Sequence, residues 1–543
     1  MEDALVVRQC AVYHPNIWGD YFVTEHPTSN QSQSEAWMTE RAEQLRKEIR
    51  SILQDENNTD LLQTMNLIDT VQLLGLDYHF VDEINKALGH LYDADMSNHG
   101  LYEVALHFRL LRQKGYQISS DVFNKFKDEE GRFKTELTSD AKGILSLYNA
   151  AYLGVHGETI LDEAIAFTRE QLTPMLKDLS PPLAKFVSLC LETPLRRNIK
   201  RLFARHFISI YQEEPTRNEA ILELAKLDFN MLQSLHRQEL KKICEWWKDL
   251  GINKSLSFAR DRAVESYYWI LGVVYEPDYS RTRMMMAKLI TLTSILDDIY
   301  DDYSTLEESQ QLTYAIKRWD PSSVDQLPIY LKDFYLKLLS TVKEFEKELA
   351  PQEKFQMFYL KEAVKSQAKA YFEESKWRDE RRVPTVEEHL RVSAMSSCHP
   401  MFHTAVLVGI GKVATKELFE WVATFPDIIK ASSVIGRIMN DITSYEREEK
   451  REHVASTVHC YMKEHGTSTE VACEKLQVLV EDAWKVINKE CLDPTTFLIP
   501  LLEISLNFTR IVENTYKYID AYTDPTTSMR ECINLLLVQP VPL

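Results

Sequence analysis

Glycine is scarce in this chain, at 15 of 543 residues, under half of the usual share of about 7%. So few glycines disfavour glycine-rich phosphate-binding loops, and with few alternating β-branched runs they point to helices. Eight cysteines are present but none forms a CxxC pair, so zinc-ribbon and dithiol redox chemistry have no framework and the thiols read as reduced. Nowhere do 18 apolar residues run together, which leaves no candidate membrane span. Basic charge is in deficit, with 63 Lys and Arg against 82 Asp and Glu and a formal charge of −19. That balance argues against a nucleic-acid backbone or an anionic membrane as partner. The start, Met1-Glu2-Asp3, carries no basic or apolar leader pattern, and the expected location is the cytoplasm.

Hydrophobic residues make up 44%, enough for a large core. Helical periodicity dominates. Residues 36–53 place Trp37, Ala42, Leu45, Ile49 and Leu53 mostly three or four apart, and 61–76, 100–114, 158–174 and 196–212 repeat the pattern. Asp140 is placed to cap the helix AKGILSLYNAAYLG. No convincing strand or fixed-period repeat appears. The polar, Pro-containing stretch 211–219 marks a boundary. The reading is an all-α chain of two helical domains, 1–215 and 216–543. The first 35 residues read as extended and irregular apart from an aromatic cluster at Tyr13, Trp18, Tyr21 and Phe22, and are expected to drape over one domain.

The sharpest chemical signal is Asp297-Asp298-Ile299-Tyr300-Asp301-Asp302, which follows the apolar run MMMAKLITLTSIL. On an α-helix Asp297 and Asp301 share a face, as do Asp298 and Asp302, and like charges at that spacing repel. Entry from an apolar run makes their desolvation costlier. A hard divalent cation offsets both, and Mg²⁺ takes one or two carboxylates together with phosphate oxygens and waters. A second stripe, Asn440, Ser444 and Glu448, has oxygen donors at i, i+4 and i+8, with Arg437 near the same face. Arg260-Asp261-Arg262 offers two forked cations suited to a diphosphate. Trp269, seven residues beyond Arg262, supplies an aromatic face able to attract a carbocation. Together these describe a site holding several metal ions at the mouth of an apolar cavity. Its chemistry is ionisation of an allylic diphosphate.

At this point the sequence resembles the plant class I terpene synthases over nearly its whole length. DDIYD matches DDxxD, NDITSYERE matches (N/D)Dxx(S/T)xxxE, and RDR matches RxR. YHPNIWGDYF, IDTVQLLGLDYHF and LYEVALHFRLLRQKGY also read like this family. The resemblance implies a catalytically quiet, α-barrel-like N-terminal domain and a C-terminal α-bundle holding the active site. It implies Asp297 and Asp301 as Mg²⁺ ligands with Asp298 in support. Asn440, Ser444 and Glu448 would hold a third ion, and Mn²⁺ is a possible substitute. Arg260, Arg262 and Arg437 would grip diphosphate. YKYIDAYT resembles a lid pattern and implies that Tyr516, Asp520 and Tyr522 line the cavity, with Asp520 near the site of final proton loss. Ser396-Ser397-Cys398-His399-Pro400 resembles the family's broken helix, with carbonyls turned to the cation; Pro400 gives the break a physical reason.

Departures from the pattern refine the expectation. The tandem arginine that precedes the N-terminal Trp is broken here as Arg8-Gln9, and Trp18 lies close to the start. Both favour a sesquiterpene synthase acting on farnesyl diphosphate over a monoterpene synthase acting on geranyl diphosphate. The DxDD of proton-initiated cyclases is absent, the nearest string being Asp93-Ala94-Asp95-Met96. Chain-elongating enzymes carry a second DDxxD where this chain has the Asn440 motif. The expected enzyme is a carbon–oxygen lyase, a monomer with no nucleic-acid partner. GIGKVA at 409–414 formally matches a dinucleotide fingerprint, but no strand–helix units surround it, so it reads as a helix with two tolerated glycines. A non-catalytic helical scaffold is the other rival, and it leaves the oxygen stripes unexplained. His399 reads as a pocket-wall residue or a local base. His453, with Lys450 and Arg451, reads as a solvated basic cluster, the alternative being a group that approaches the diphosphate on closure.

Overall fold

The structure, a computed structural model, describes residues 13–24, 31–55, 60–252, 255–448, 455–492 and 499–543. Lys450, Arg451 and His453, like Arg8 and Gln9, lie outside the described residues. Within them the chain is helical, and the only β-type pairing is an isolated bridge between Lys127 and Phe133. None of these helices is long and apolar enough to cross a membrane. The chain clusters into two compact units. One comprises 1–25, 236–484 and 503–533, the other 26–235, 485–502 and 534–543.

In the second unit the helices follow their apolar stripes. Asp140 caps helix Ala141–Ala151, its carboxylate accepting from Gly143 N at 2.8 Å, which satisfies one of the N–H groups every helix start leaves open. Leu106, Leu110, Ile144 and Leu147 are fully buried. Buried polar groups here are consumed by one another. Asp228 accepts from Arg201 Nη1 at 3.1 Å and meets His79 Nε2 at 2.9 Å, while Arg112 grips Glu158.

The first unit is built around two fully or nearly fully buried helices, Ala263–Val273 and Ser280–Asp298. All eleven residues of Ala263–Val273 are buried, mostly apolar, as in a central helix, with Glu265 and Ser266 as buried polar exceptions. Ser280–Asp298 packs against it and against His399–Ile410. Gly409 makes that second approach possible: a Cβ there would sit 2.6 Å from Thr282 Cα. Gln356–Asp379 packs on His399–Ile410, and Val386–Ser396 on Asp427–Glu448.

Two expectations are corrected. The opening residues are not wholly irregular. Tyr21–Thr24 forms a helical turn, and the next helix starts at Gln31 rather than 36. Polar residues Gln31–Glu35 extend that helix without contributing to its apolar period, so the pattern does not register them. GIGKVA is not a helix carrying two glycines. The helix stops at Ile410, and Gly411 has a φ of +76°, a left-handed value glycine adopts at little cost.

Candidate active site

One cavity in the first unit gathers most of the residues singled out above. Its wall includes Arg260, Trp269, Asp297, Asp301, Arg437, Asn440, Glu448, Tyr516, Asp520 and Tyr522. Ile290, Thr293, Ser294 and Asp297 carry it along helix Ser280–Asp298, a climb of about 10 Å at 1.5 Å per residue. The helix thus supplies apolar and hydroxyl side chains below and carboxylates at the top.

The aspartates do not continue as an α-helix. Ile299–Tyr303 is a π-helical turn, a conformation enriched at functional sites. The i,i+4 pairing expected for Asp298 and Asp302 is therefore lost. Asp301 and Asp302 line the cavity, while Asp298 is fully buried and does not. Arg378 braces the turn from helix Gln356–Asp379, donating to the carbonyls of Tyr300 at 2.6 Å, of Ser304 at 3.0 Å, and of Asp301. Arg260 braces the side chains. Its backbone N–H donates to Asp298 Oδ2 at 2.8 Å, and its guanidinium pairs with Asp298 Oδ1 and Asp297 Oδ2, both at 2.7 Å. Burial, with Asp297 and Asp302 nearby, pushes the Asp298 carboxyl up to about 7 against the pull of Arg260. Burial and the Asp297, Glu374 and Asp302 charges hold the Asp301 carboxyl well above the usual carboxylate range. Both shifts are led by desolvation, with neighbouring carboxylates adding to it.

The second stripe lies on a regular helix, Asp427–Glu448. Gly436, Arg437, Asn440, Arg447 and Glu448 reach the cavity wall. Ser444 is 1% exposed, and its hydroxyl has no hydrogen-bond partner among the described residues. Asp441 points elsewhere. It accepts from both the N–H and the hydroxyl of Thr457 at 2.6 Å, and from Arg437 Nη1 at 3.3 Å. It thereby holds the start of helix Thr457–His465 and orients Arg437.

Arg262 departs from expectation. It is 0% exposed and off the cavity wall. Its guanidinium donates to the carbonyls of Tyr522, Thr523 and His14 at 2.8–2.9 Å. As the residue preceding helix Ala263–Val273 it points into the core beside the 522–523 segment, so its donors go to backbone rather than to the cavity. Of the two arginines in RDR, only Arg260 faces the mouth.

The aromatic wall is assembled by edge contacts. Trp269 meets Tyr516 and Tyr522 at 6.0 and 5.5 Å between ring centroids, with interplanar angles of 63° and 85°. Asp520 accepts from Arg447 Nη2 at 2.9 Å and from Thr523 N at 3.0 Å. The break after Ser396 is present. Cys398 has a φ of +70° and Pro400 falls in the first turn of the next helix, while Ser396 to His399 all line the cavity. The Ser396 carbonyl is already taken, accepting from Gln367 Nε2 at 2.7 Å.

Three contributors were not identified from the sequence. Tyr13 lines the mouth, its hydroxyl donating to Asp302 and its ring 4.9 Å from the Arg260 guanidinium carbon. Trp18 donates to Glu265 at 3.2 Å, so the opening segment is laid on this unit. Glu374 is buried under the mouth, accepts from Ser396 Oγ at 2.7 Å, and is pushed up to about 7 by burial. The aromatic cluster hinted at the first two; nothing in the local pattern marks Glu374.

Among the described residues no three Asp, Glu, His or Cys side chains converge as a ready-made metal cage. A divalent cation that keeps waters and shares a ligand's phosphate oxygens does not need one. The residues fit such an ion: the unpartnered Ser444 hydroxyl stands between Asn440 and Glu448, and Asp301 is crowded by like charge.

Residues 248–486 match the "Terpene synthase family, metal binding domain", and 17–191 match the "Terpene synthase, N-terminal domain". The chain is 60% identical over 544 residues to (S)-beta-bisabolene synthase of Zingiber officinale, covering 100% of this chain and 98% of that one. It is 56% identical to alpha-humulene synthase of Zingiber zerumbet, covering 98% and 97%. Its fold matches crystalline isoprene synthase from grey poplar (Populus x canescens) with a TM-score of 0.85 and 36% identity, covering 93% and 97%. That crystal holds three Mg²⁺ ions and dimethylallyl-S-thiolodiphosphate.

Proposed function

Because the chain belongs to the terpene synthase family, we propose that it is a Mg²⁺-dependent sesquiterpene synthase. It ionises farnesyl diphosphate, cyclises the cation and releases diphosphate. One observation carries this reading: a single cavity joins a mouth of Arg260, Asp297, Asp301, Arg437, Asn440 and Glu448 to a wall of Trp269, Phe402, Tyr516 and Tyr522. The full-length match to Zingiber sesquiterpene synthases supports farnesyl diphosphate as substrate.

Asp297 and Asp301 would hold metal on one side of the mouth, and Asn440, Ser444 and Glu448 on the other, three ions in all. When bound, Mg²⁺ supplies positive charge that stabilises the leaving diphosphate. Arg260 and Arg437 add donors to the same anion. Asp298 keeps Arg260 aimed, and Asp441 keeps Arg437 aimed. Trp269, Tyr516 and Tyr522 present ring faces and edges to the hydrocarbon, whose shape the wall imposes. The 521–527 segment and Tyr13 cover the mouth and exclude water. The reacting groups belong to residues 216–543, and residues 1–215 contribute only the Tyr13 cover. The protein acts as a cytoplasmic monomer.

The test is incubation of the purified protein and Mg²⁺ with geranyl, farnesyl or geranylgeranyl diphosphate, with and without EDTA, read by gas chromatography–mass spectrometry. A cyclic C15 product from farnesyl diphosphate that disappears with EDTA is expected. No terpene and no released diphosphate from any substrate would overturn the reading.

A further inference from the structure

We propose that Gly436 decides whether the product is a ring: the notch left by its missing side chain holds the far limb of the prenyl chain against C1. The inference rests on the function proposed above and names, within that site, the residue that separates cyclic from linear products.

Gly436 is buried in the middle of a regular helix, Asp427–Glu448, and its φ is not positive. The backbone there does not require glycine, which weakens a helix interior relative to alanine. Room for a neighbour explains it instead. A Cβ at 436 would stand 3.1 Å from His399 Nε2 and 3.5 Å from Val512 Cγ1, and all three residues line the cavity. Gly436 is thus the floor of a notch in the wall, with His399 and Val512 as its flanks.

The His399 flank is held in place. Its ring lies along one turn of the same helix, with Nδ1 2.9 Å from Ser432 Oγ and Nε2 beside Gly436. Ser432 is fully buried, and the Phe508 ring packs on the imidazole at 5.8 Å between centroids. Held at one end and along its side, the ring has little freedom to swing away from a methyl at 436. Burial, with His403 adjacent, lowers the His399 pKa to about 3, so the ring is uncharged and suits a hydrocarbon. Val512, on helix Ile499–Thr515, is 2% exposed and closes the other side.

The level of the notch gives it its role. Gly436 precedes Asn440 by four residues, about 6 Å along the helix axis. It therefore lies just below the oxygen stripe, where the first carbons of the chain leave the diphosphate. A linear product needs room there for one limb of the chain. Ring closure needs two, because the far double bond must come back to C1, and a second limb in contact adds about 4 Å of width. The notch supplies width at that level.

In closure, the C1–O bond breaks and diphosphate leaves with its electron pair. The far C=C gives its π pair to C1, a C–C bond forms, and the positive charge passes to the far carbon. With the notch filled, the allylic cation is quenched before closure. It loses a proton from a neighbouring C–H to the released diphosphate and becomes a linear alkene, or it takes up water, whose proton goes to the same anion, and becomes a linear alcohol.

The test compares wild type, Gly436→Ala and Val512→Leu with farnesyl diphosphate and Mg²⁺, following diphosphate release and the C15 products by gas chromatography–mass spectrometry. A wild type that releases no diphosphate would sink the proposed function itself. With an active wild type, Gly436→Ala should lower the ratio of cyclic to linear products by at least about tenfold, the worth of one methyl in a packed pocket. Diphosphate release should persist, because the carboxylates and arginines at the mouth are untouched. Val512→Leu narrows the notch from another helix and should move the ratio the same way, so the result does not hang on helix Asp427–Glu448 accepting alanine. An unchanged ratio in both variants, or a wild type whose products are already linear, would overturn the proposal.

Discussion

At the top of helix Ser280–Asp298 and on the π turn that follows it, carboxylates are already engaged, Asp297 and Asp298 with Arg260 and Asp302 with Tyr13. Along Asp427–Glu448 the donors stand on a regular helix, and the Ser444 hydroxyl between them has no partner among the described residues. The first stripe is charge-rich and must be held apart by protein cations. The second is mostly neutral and costs little to leave open. An ion entering the first has to displace close protein cations, whereas one entering the second finds the Ser444 hydroxyl without a partner among the described residues. The two sides of the mouth should therefore respond differently to substitution.

The largest effect is expected on the charged side. Asp297→Ala should lower turnover by about a thousandfold, the loss of several kcal/mol of transition-state charge stabilisation. Circular dichroism should show the helices intact. A near-normal rate would remove Asp297 from the metal site. On the neutral side Glu448→Gln should cost about 10–100-fold and raise the Mg²⁺ concentration needed for half-maximal rate. A Mg²⁺ titration that leaves that midpoint unmoved would break the comparison.

Proton linkage separates the sides further. In EDTA the folded Asp298 carboxyl keeps its proton up to about 7, while an unfolded one releases it near pH 4. The folded state binds more protons in that window, so this contribution to stability is present below about pH 4 and is lost as pH rises through about 7. The melting temperature of wild type should fall relative to that of Asp298→Asn as pH rises from about 4 to about 7, and the two should run parallel above it. Parallel curves throughout would show that Arg260 keeps Asp298 ionised. The smallest effect belongs to Tyr13→Phe. Loss of one hydroxyl contact to Asp302 should cost about threefold in kcat/KM, with more water-captured product. A loss matching that of Asp297→Ala would make Tyr13 part of the binding machinery rather than its cover.

The helical class was legible because it rests on short-range periodicity. Asn440, Ser444 and Glu448, four apart, lie on one regular helix as their spacing predicts. The π turn was not legible, since it is braced by Arg378 from a distant helix. Glu374 was missed for the same reason: its significance lies in burial against Ser396 and Arg437, which no local pattern encodes. Arg262 was misread because RxR fixes residue types and not directions. One step along the chain separates an arginine at the mouth from one in the core.

That buried arginine has a mechanical consequence. Its guanidinium holds carbonyls of His14, near one end of the chain, and of Tyr522 and Thr523, near the other. The opening segment and the late loop over the mouth therefore share one rivet. Lifting either alone strips acceptors from a charged group that the other still shields from water, whereas lifting both opens that group to water, so the free energy of lifting both is less than the sum of lifting each alone. The two covers act as a single latch, and loosening one terminus would be felt in the residence time of whatever lies beneath both.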